Sequence, residues 1–118
     1  MACRLTWSPT ARFDLREIFA YIAEDDPAAA KKFIRGLFHA VERLPSFPES
    51  GRIVPEFGER EIREIVRRPC RIVYRIKADR ELIEIARVWH TALGIPELER
   101  ANNTADGVRE KEDRKSVV

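Results

Sequence analysis

Two dipeptides, Ser8-Pro9 and Asp26-Pro27, constrain the folding of this chain more than any other feature. Each sets a short oxygen-bearing side chain immediately before a proline. The oxygen can accept from an otherwise unpaired amide of a first helical turn, and a proline at the first helical position gives up no hydrogen bond. Both pairs therefore predict helix starts. Behind the first, Leu15, Ile18, Phe19 and Ile22 fall at i, i+3, i+4 and i+7, one buried stripe. Behind the second, Ala30, Phe33, Ile34, Leu37, Val41 and Leu44 make another, which Pro45 stops. Asp25-Asp26-Pro27 leaves no room for a long connection, so the two helices form an antiparallel hairpin.

The rest of the chain changes period. Residues 3–7 (Cys-Arg-Leu-Thr-Trp) alternate apolar and polar, the mark of a short strand. Residues 45–58 hold three prolines and two glycines and read as a long irregular loop. From Glu61 the period is two, with strands expected near Ile62–Arg67, Cys70–Lys77 and, past a turn at 78–81, Leu82–His90. Short links between them imply an antiparallel meander. The expected fold is α+β, in the order β-α-α-β-β-β, with the helical hairpin packed on one face of a small twisted sheet. A length of 118 residues fits one domain, placed at residues 1–100, and 101–118 read as a polar, mobile tail without periodicity.

Composition excludes several function classes. No apolar run approaches the roughly 18 residues of a membrane span, and the start Met-Ala-Cys-Arg-Leu-Thr-Trp lacks the apolar core of a secretory signal. Cys3 and Cys70 are neither a disulfide framework nor spaced as metal ligands. His39 and His90 lie far apart in sequence, and there is no glycine-rich phosphate loop or nucleophile elbow. These features predict a cytoplasmic protein without cofactor or metal.

The net charge of +2 conceals an uneven distribution. Seventeen of the 22 basic residues are Arg, the side chain suited to planar, bidentate contact with phosphate or carboxylate. Six bases (Arg63, Arg67, Arg68, Arg71, Arg75 and Lys77) stand against the single acid Glu64 in fifteen residues. Alternation along Cys70–Lys77 sends Cys70, Ile72, Tyr74 and Ile76 to one face and Arg71, Val73, Arg75 and Lys77 to the other. Such a row can grip phosphates along a nucleic-acid strand; it can equally be a solvated face with acids across the strands. Matching Ile83 and Ile85 with Tyr74 and Ile76 puts Glu84, Ala86, Val88 and His90 on the Arg71 face. It sets Glu84 opposite Arg75 as an ion pair, and Arg71 opposite Val88, one diagonal from His90. An arginine and a histidine converging there could hold a phosphate and move a proton.

Further residues resemble the RelE/ParE superfamily of bacterial toxins. They are Trp7-Ser8-Pro9 with Ala11, Asp14-Leu15, Ile18 and Tyr21-Ile22; Leu44-Pro45, Pro48, Gly51-Arg52 and Val54-Pro55-Glu56; and Arg71-Ile72-Val73-Tyr74-Arg75-Ile76 with Ile83, Ile85, Val88 and His90. The resemblance implies a growth-inhibiting toxin of a plasmid-stabilisation type, silenced by a cognate antitoxin lying on the hairpin and along the sheet. Its target would be DNA gyrase if ParE-like, with no chemistry of its own. If RelE-like, it would be ribosome-bound mRNA, cut without metal by Glu56 as base, Arg71 as phosphate clamp and His90 as acid. Thr91 follows His90 where the RNA-cutting branch has an aromatic, and the loop carries none of the lysines of the other cutting branch. The loop-and-strand phrasing is closer to ParE-like sequences, though those often carry an Arg shortly after the terminal His and here Ala92-Leu93-Gly94 follows; a non-toxic interaction module is the third reading. Arg63, Arg67, Arg68, Arg75 and Arg87 are the candidate RNA- or partner-binding residues. Nothing resembles a DNA-reading helix, so no direct specific DNA binding is expected.

Overall fold

The protein is described as a computed structural model over residues 3–94. The tail at 101–118 and the end of the expected 1–100 domain lie outside the described residues. The chain runs β1 (Arg4–Trp7), α1 (Pro9–Ala23), α2 (Pro27–Ala40), β2 (Arg52–Ile53), β3 (Ile62–Arg67), β4 (Cys70–Lys77) and β5 (Leu82–His90). Both helix starts form as the two dipeptides dictate. Ser8 Oγ accepts from the Ala11 N–H at 3.0 Å, and Asp26 Oδ1 accepts from the Ala29 N–H at 3.1 Å. The Ser8 hydroxyl also donates to the Ala86 carbonyl at 3.0 Å, tying the start of α1 to β5.

Two expectations need correction here. The second helix does not reach Leu44; it ends at Ala40. Beyond it the backbone tightens into bonds three residues apart, from Val41 N–H to Phe38 O and from Leu44 N–H to Val41 O. Val41 and Leu44 still point into the core. The segment 45–58 is not wholly irregular either, because β2 pairs antiparallel with β3 through Arg52↔Glu64 and Ile53↔Arg63. The sheet thus has five strands, ordered β1-β5-β4-β3-β2, with β1 parallel to β5 and every other pairing antiparallel.

The main core lies between the hairpin and one sheet face. Ala11, Ile18, Leu37, Val41 and Leu44 meet Ile65, Ile72, Tyr74, Ile83, Ile85 and Val88 there. The opposite, outer face carries a smaller core of Val54, Val73 and Trp89, with Phe57 and Ile62 packed against it. The loop from Val54 to Gly58 therefore crosses that face as a strap. Tyr74 anchors the loop from beneath: its hydroxyl donates to the Pro48 carbonyl at 2.6 Å and accepts from the Gly51 N–H at 3.0 Å. A Cβ at position 51 would sit 2.6 Å from that hydroxyl and 2.7 Å from the Glu64 carbonyl, so only glycine fits.

One irregularity decides the placement of the site. Tyr74 pairs with Ile85, but Val73 pairs with Arg87, leaving Ala86 as an extra residue in β5. This β-bulge reverses the parity of everything after it. Arg71 therefore stands opposite Trp89, not Val88, while Val88 and His90 fall on the helix-facing side with Ile72 and Cys70. The Glu84↔Arg75 pairing does form, yet the Glu84 carboxylate meets Lys77 at 3.3 Å, and Arg75 is exposed with no ion pair among the described residues.

Candidate functional site

Arg71 is the centre of the outer face. Its Nε donates to Glu64 Oε1 at 2.7 Å, and its Nη1 and Nη2 donate to the two oxygens of Glu56 at 3.1 and 2.9 Å. Glu64, with no side-chain exposure, also accepts from Arg52 Nε through its second oxygen, at 2.6 Å. Two guanidiniums and two carboxylates thus neutralise each other within the face. The Arg71 guanidinium also lies 5.3 Å from the Trp89 ring centroid, and that of Arg87 5.8 Å from the same ring. At such distances the ring face attracts the guanidinium cation. Arg71 is therefore pre-oriented, with three of its five N–H donors already used.

Charge proximity sets the titration of this pair. Hydrogen bonding from Arg71 is the chief reason that the Glu56 carboxyl titrates below its ordinary range, and Glu56 in turn raises the Arg71 guanidinium. A carboxylate held this way is a weaker base.

The structure brings Glu56 and Arg71 together and leaves His90 apart from them. His90 projects to the helix side, 7% exposed, with its ring against Tyr21 at 5.6 Å and Phe33 at 6.2 Å. Its Nδ1 accepts from the Ala92 N–H at 3.1 Å, and burial pushes its pKa down. The convergence of Arg71 and His90 on one face, expected from an uninterrupted alternation, is removed by the bulge at Ala86.

The other candidate arginines do not form one row. Arg63 is buried under the loop, donating to the carbonyls of Arg60, Glu49 and Gly51 at 2.9, 3.3 and 3.0 Å, which is a structural duty. Arg87 pairs with Asp14 through Nε at 2.9 Å and Nη2 at 3.1 Å. Arg67, Arg68 and Arg75 are exposed. Arg67 turns to the helix side, its guanidinium reaching α2 beside Gly36.

Three residues in this architecture have roles that residue type and spacing alone do not assign. Glu64 is the hub of the outer face; its signal was that it is the only acid among six bases. Asp14 completes the open edge of β5 where β1 has ended, accepting from the Val88 N–H at 2.8 Å as well as from Arg87. Its signal was an acid on the buried stripe with Ala11 and Ile18. Burial is the leading influence on its carboxyl and pushes its pKa up, against the pull of Arg87 and the Val88 amide. Trp89 closes the outer core, and its buried indole N–H meets no acceptor among the described residues. Cys70, between the sheet and the helices, has its thiol pushed up to about 11, by burial first and then by the charge of Asp14. It is inert as a nucleophile. Among the described residues no group of three His, Cys, Asp or Glu could hold a metal ion, and no helix is long and apolar enough to cross a membrane.

A helical hairpin on a five-stranded, mostly antiparallel sheet is the α+β fold of toxins of the ParE and RelE kind. The chain belongs to the ParE toxin family of type II toxin–antitoxin systems, whose sequence pattern (ParE toxin of type II toxin-antitoxin system, parDE) matches residues 5–92. It is 37% identical over 82 residues to the "Putative toxin Y4kP" of Sinorhizobium fredii, covering 70% of this chain and 84% of that protein. Two solved structures share the fold. A chain of the chromosomal ParDE system from P. aeruginosa superposes with a TM-score of 0.62 at 24% identity, covering 75% of this chain and 96% of that one. A chain of the RelBE2 toxin–antitoxin complex from Mycobacterium tuberculosis superposes with a TM-score of 0.53 at 22% identity, covering 76% and 92%.

Proposed function

We propose that this chain is the growth-inhibiting toxin of a plasmid-stabilisation pair, that it acts in the cytoplasm by binding rather than by bond cleavage, and that DNA gyrase is its target. The observation that carries this reading is the separation of His90 from Arg71 and Glu56. A general acid must lie within hydrogen-bond reach of the group it serves. Here the imidazole is buried against Tyr21 and Phe33, behind the sheet that carries Arg71 on its other side. Glu56 spends its carboxylate on Arg71 and titrates below its usual range, which weakens it further as a base. What remains on the outer face is a network of paired charges around Arg71 that suits recognition.

A cognate antitoxin is the second partner. The two solved relatives come from a toxin–antitoxin system and a toxin–antitoxin complex, and the hairpin here exposes Phe13, Tyr21 and Phe38. Those aromatics suit the apolar face of an amphipathic segment.

The test adds the purified chain to gyrase supercoiling reactions and, in parallel, maps transcript ends on translating ribosomes after brief expression in cells. Loss of supercoiling without new transcript ends is expected. New ends inside codons with gyrase intact would overturn the proposal in favour of RNA cutting by Glu56, Arg71 and His90. The proximity of Glu56 to Arg71 is the one observation favouring that alternative. No growth effect from the antitoxin-free chain would leave the non-toxic interaction module.

A further inference from the structure

Away from the outer face, the chain keeps a second set of cations. Helix α2 contains Lys31, Lys32 and Arg35 and no acid, and residues 65–72 contain Arg67, Arg68 and Arg71 and no acid. The two segments meet where the Arg67 guanidinium crosses α2: its Nη2 lies 3.1 Å from where a Cβ of Gly36 would stand. Lys32 is one helical turn before Gly36 on the same side, and Arg35 is its neighbour on the flank turned away from the buried Leu37 and Ala30. Lys32, Arg35, Arg67 and Arg68 are all exposed, and none is ion-paired to a carboxylate among the described residues. Arg71, by contrast, is paired twice on the other face.

We infer that Lys32, Arg35, Arg67 and Arg68 form a binding surface for the phosphate backbone of a nucleic acid. Interfaces with nucleic acid are more polar and far more positive than those with protein, whereas protein interfaces carry an apolar centre. This surface has no such centre: Val66 points to the opposite sheet face from Arg67, and the exposed Phe38 of α2 sits on the other flank of the helix from Gly36, edge-on to Trp7. The exposed His39 stands one helical turn past Arg35 on this flank, while contact through the four cations is with phosphates and so indifferent to sequence. That agrees with the absence of a DNA-reading helix among the described residues. The glycine in the middle of α2 fits the same purpose, because it lets the Arg67 guanidinium rest against the helix beside Lys32 and Arg35. The inference does not depend on gyrase being the target.

The experiment measures anisotropy of labelled duplex DNA and of an RNA of equal length with the purified chain across a salt series. Four phosphate contacts on duplex DNA predict a log–log salt slope of about −3 to −4, a weakening of roughly a hundredfold between 50 and 200 mM salt. The Arg67→Gln/Arg68→Gln variant should lower that to roughly tenfold. Arg12→Gln/Arg16→Gln, which removes equal charge from α1, should leave the slope unchanged, with circular dichroism confirming that both variants fold. Binding of DNA or RNA with this residue dependence supports the inference. It is overturned if neither nucleic acid binds, or if both variants lower the slope equally. It is also overturned if poly-glutamate binds as tightly as DNA, which would assign the surface to an acidic protein.

Discussion

At the scale of single residues, the outer face depends on Glu64. It is a buried carboxylate serving two guanidiniums, and removing one member of such a set strands the others. Because Arg52 and Arg71 keep some contact with water, the cost falls below that of a fully buried pair. Glu64→Gln should lower stability by about 2 kcal/mol in urea unfolding. Glu56→Gln, at the solvent end of the same network, should cost less than about 1 kcal/mol. His90 provides a different test. Burial depresses its pKa, so protons bind the unfolded chain more readily in the interval below the ordinary histidine value. Stability should therefore be intact above that value and fall as pH drops through the depressed one. In His90→Gln the loss of melting temperature between pH 7.5 and pH 5 should be smaller than in the parent. An unchanged pH slope would show that His90 is not buried as a neutral ring.

At the scale of elements, local chemistry was readable wherever it depends on neighbours in sequence. The caps of α1 and α2, the β3–β4–β5 meander and the inward parity of Tyr74 all follow from near neighbours. The bulge was the point of failure. Its trace lies in the spacing Ile83, Ile85, Val88, in which the second interval is three rather than two. Strict alternation misread this because the residues that stabilise the bulge are remote: Ser8 binds the Ala86 carbonyl and Asp14 binds the Val88 amide. Asp14→Ala should therefore cost about 2 to 4 kcal/mol, leaving a strand amide and Arg87 unpaired. Asp14→Asn, which retains an acceptor for Val88, should recover part of that loss in the same unfolding assay. Gly36→Ala should raise stability by up to about 1 kcal/mol through helix propensity, since the flexible Arg67 end can move aside. The same variant should bind nucleic acid more weakly if the position of Arg67 matters.

At the scale of the whole molecule, the sheet separates two cores of unequal size, and their stabilities should differ. The hairpin-side core joins α1, α2 and four strands, whereas the outer core rests on the strap and three sheet residues. Hydrogen exchange should be slowest in the central strands β4 and β5 and markedly faster in residues 52–58, which can open without global unfolding. Equal protection in both would contradict a separately opening strap. The sequence by itself determined the helix starts, the strand order along the chain, the family resemblance and the gathering of arginine near β4. Each of these depends on residue identity and short-range periodicity. Only the tertiary structure decided which arginines are paired, which face His90 occupies, and where exposed positive charge collects. Those outcomes depend on remote partners: Glu56 across a loop, Asp14 from a helix, and one unpaired residue in β5 that turns the end of the strand over.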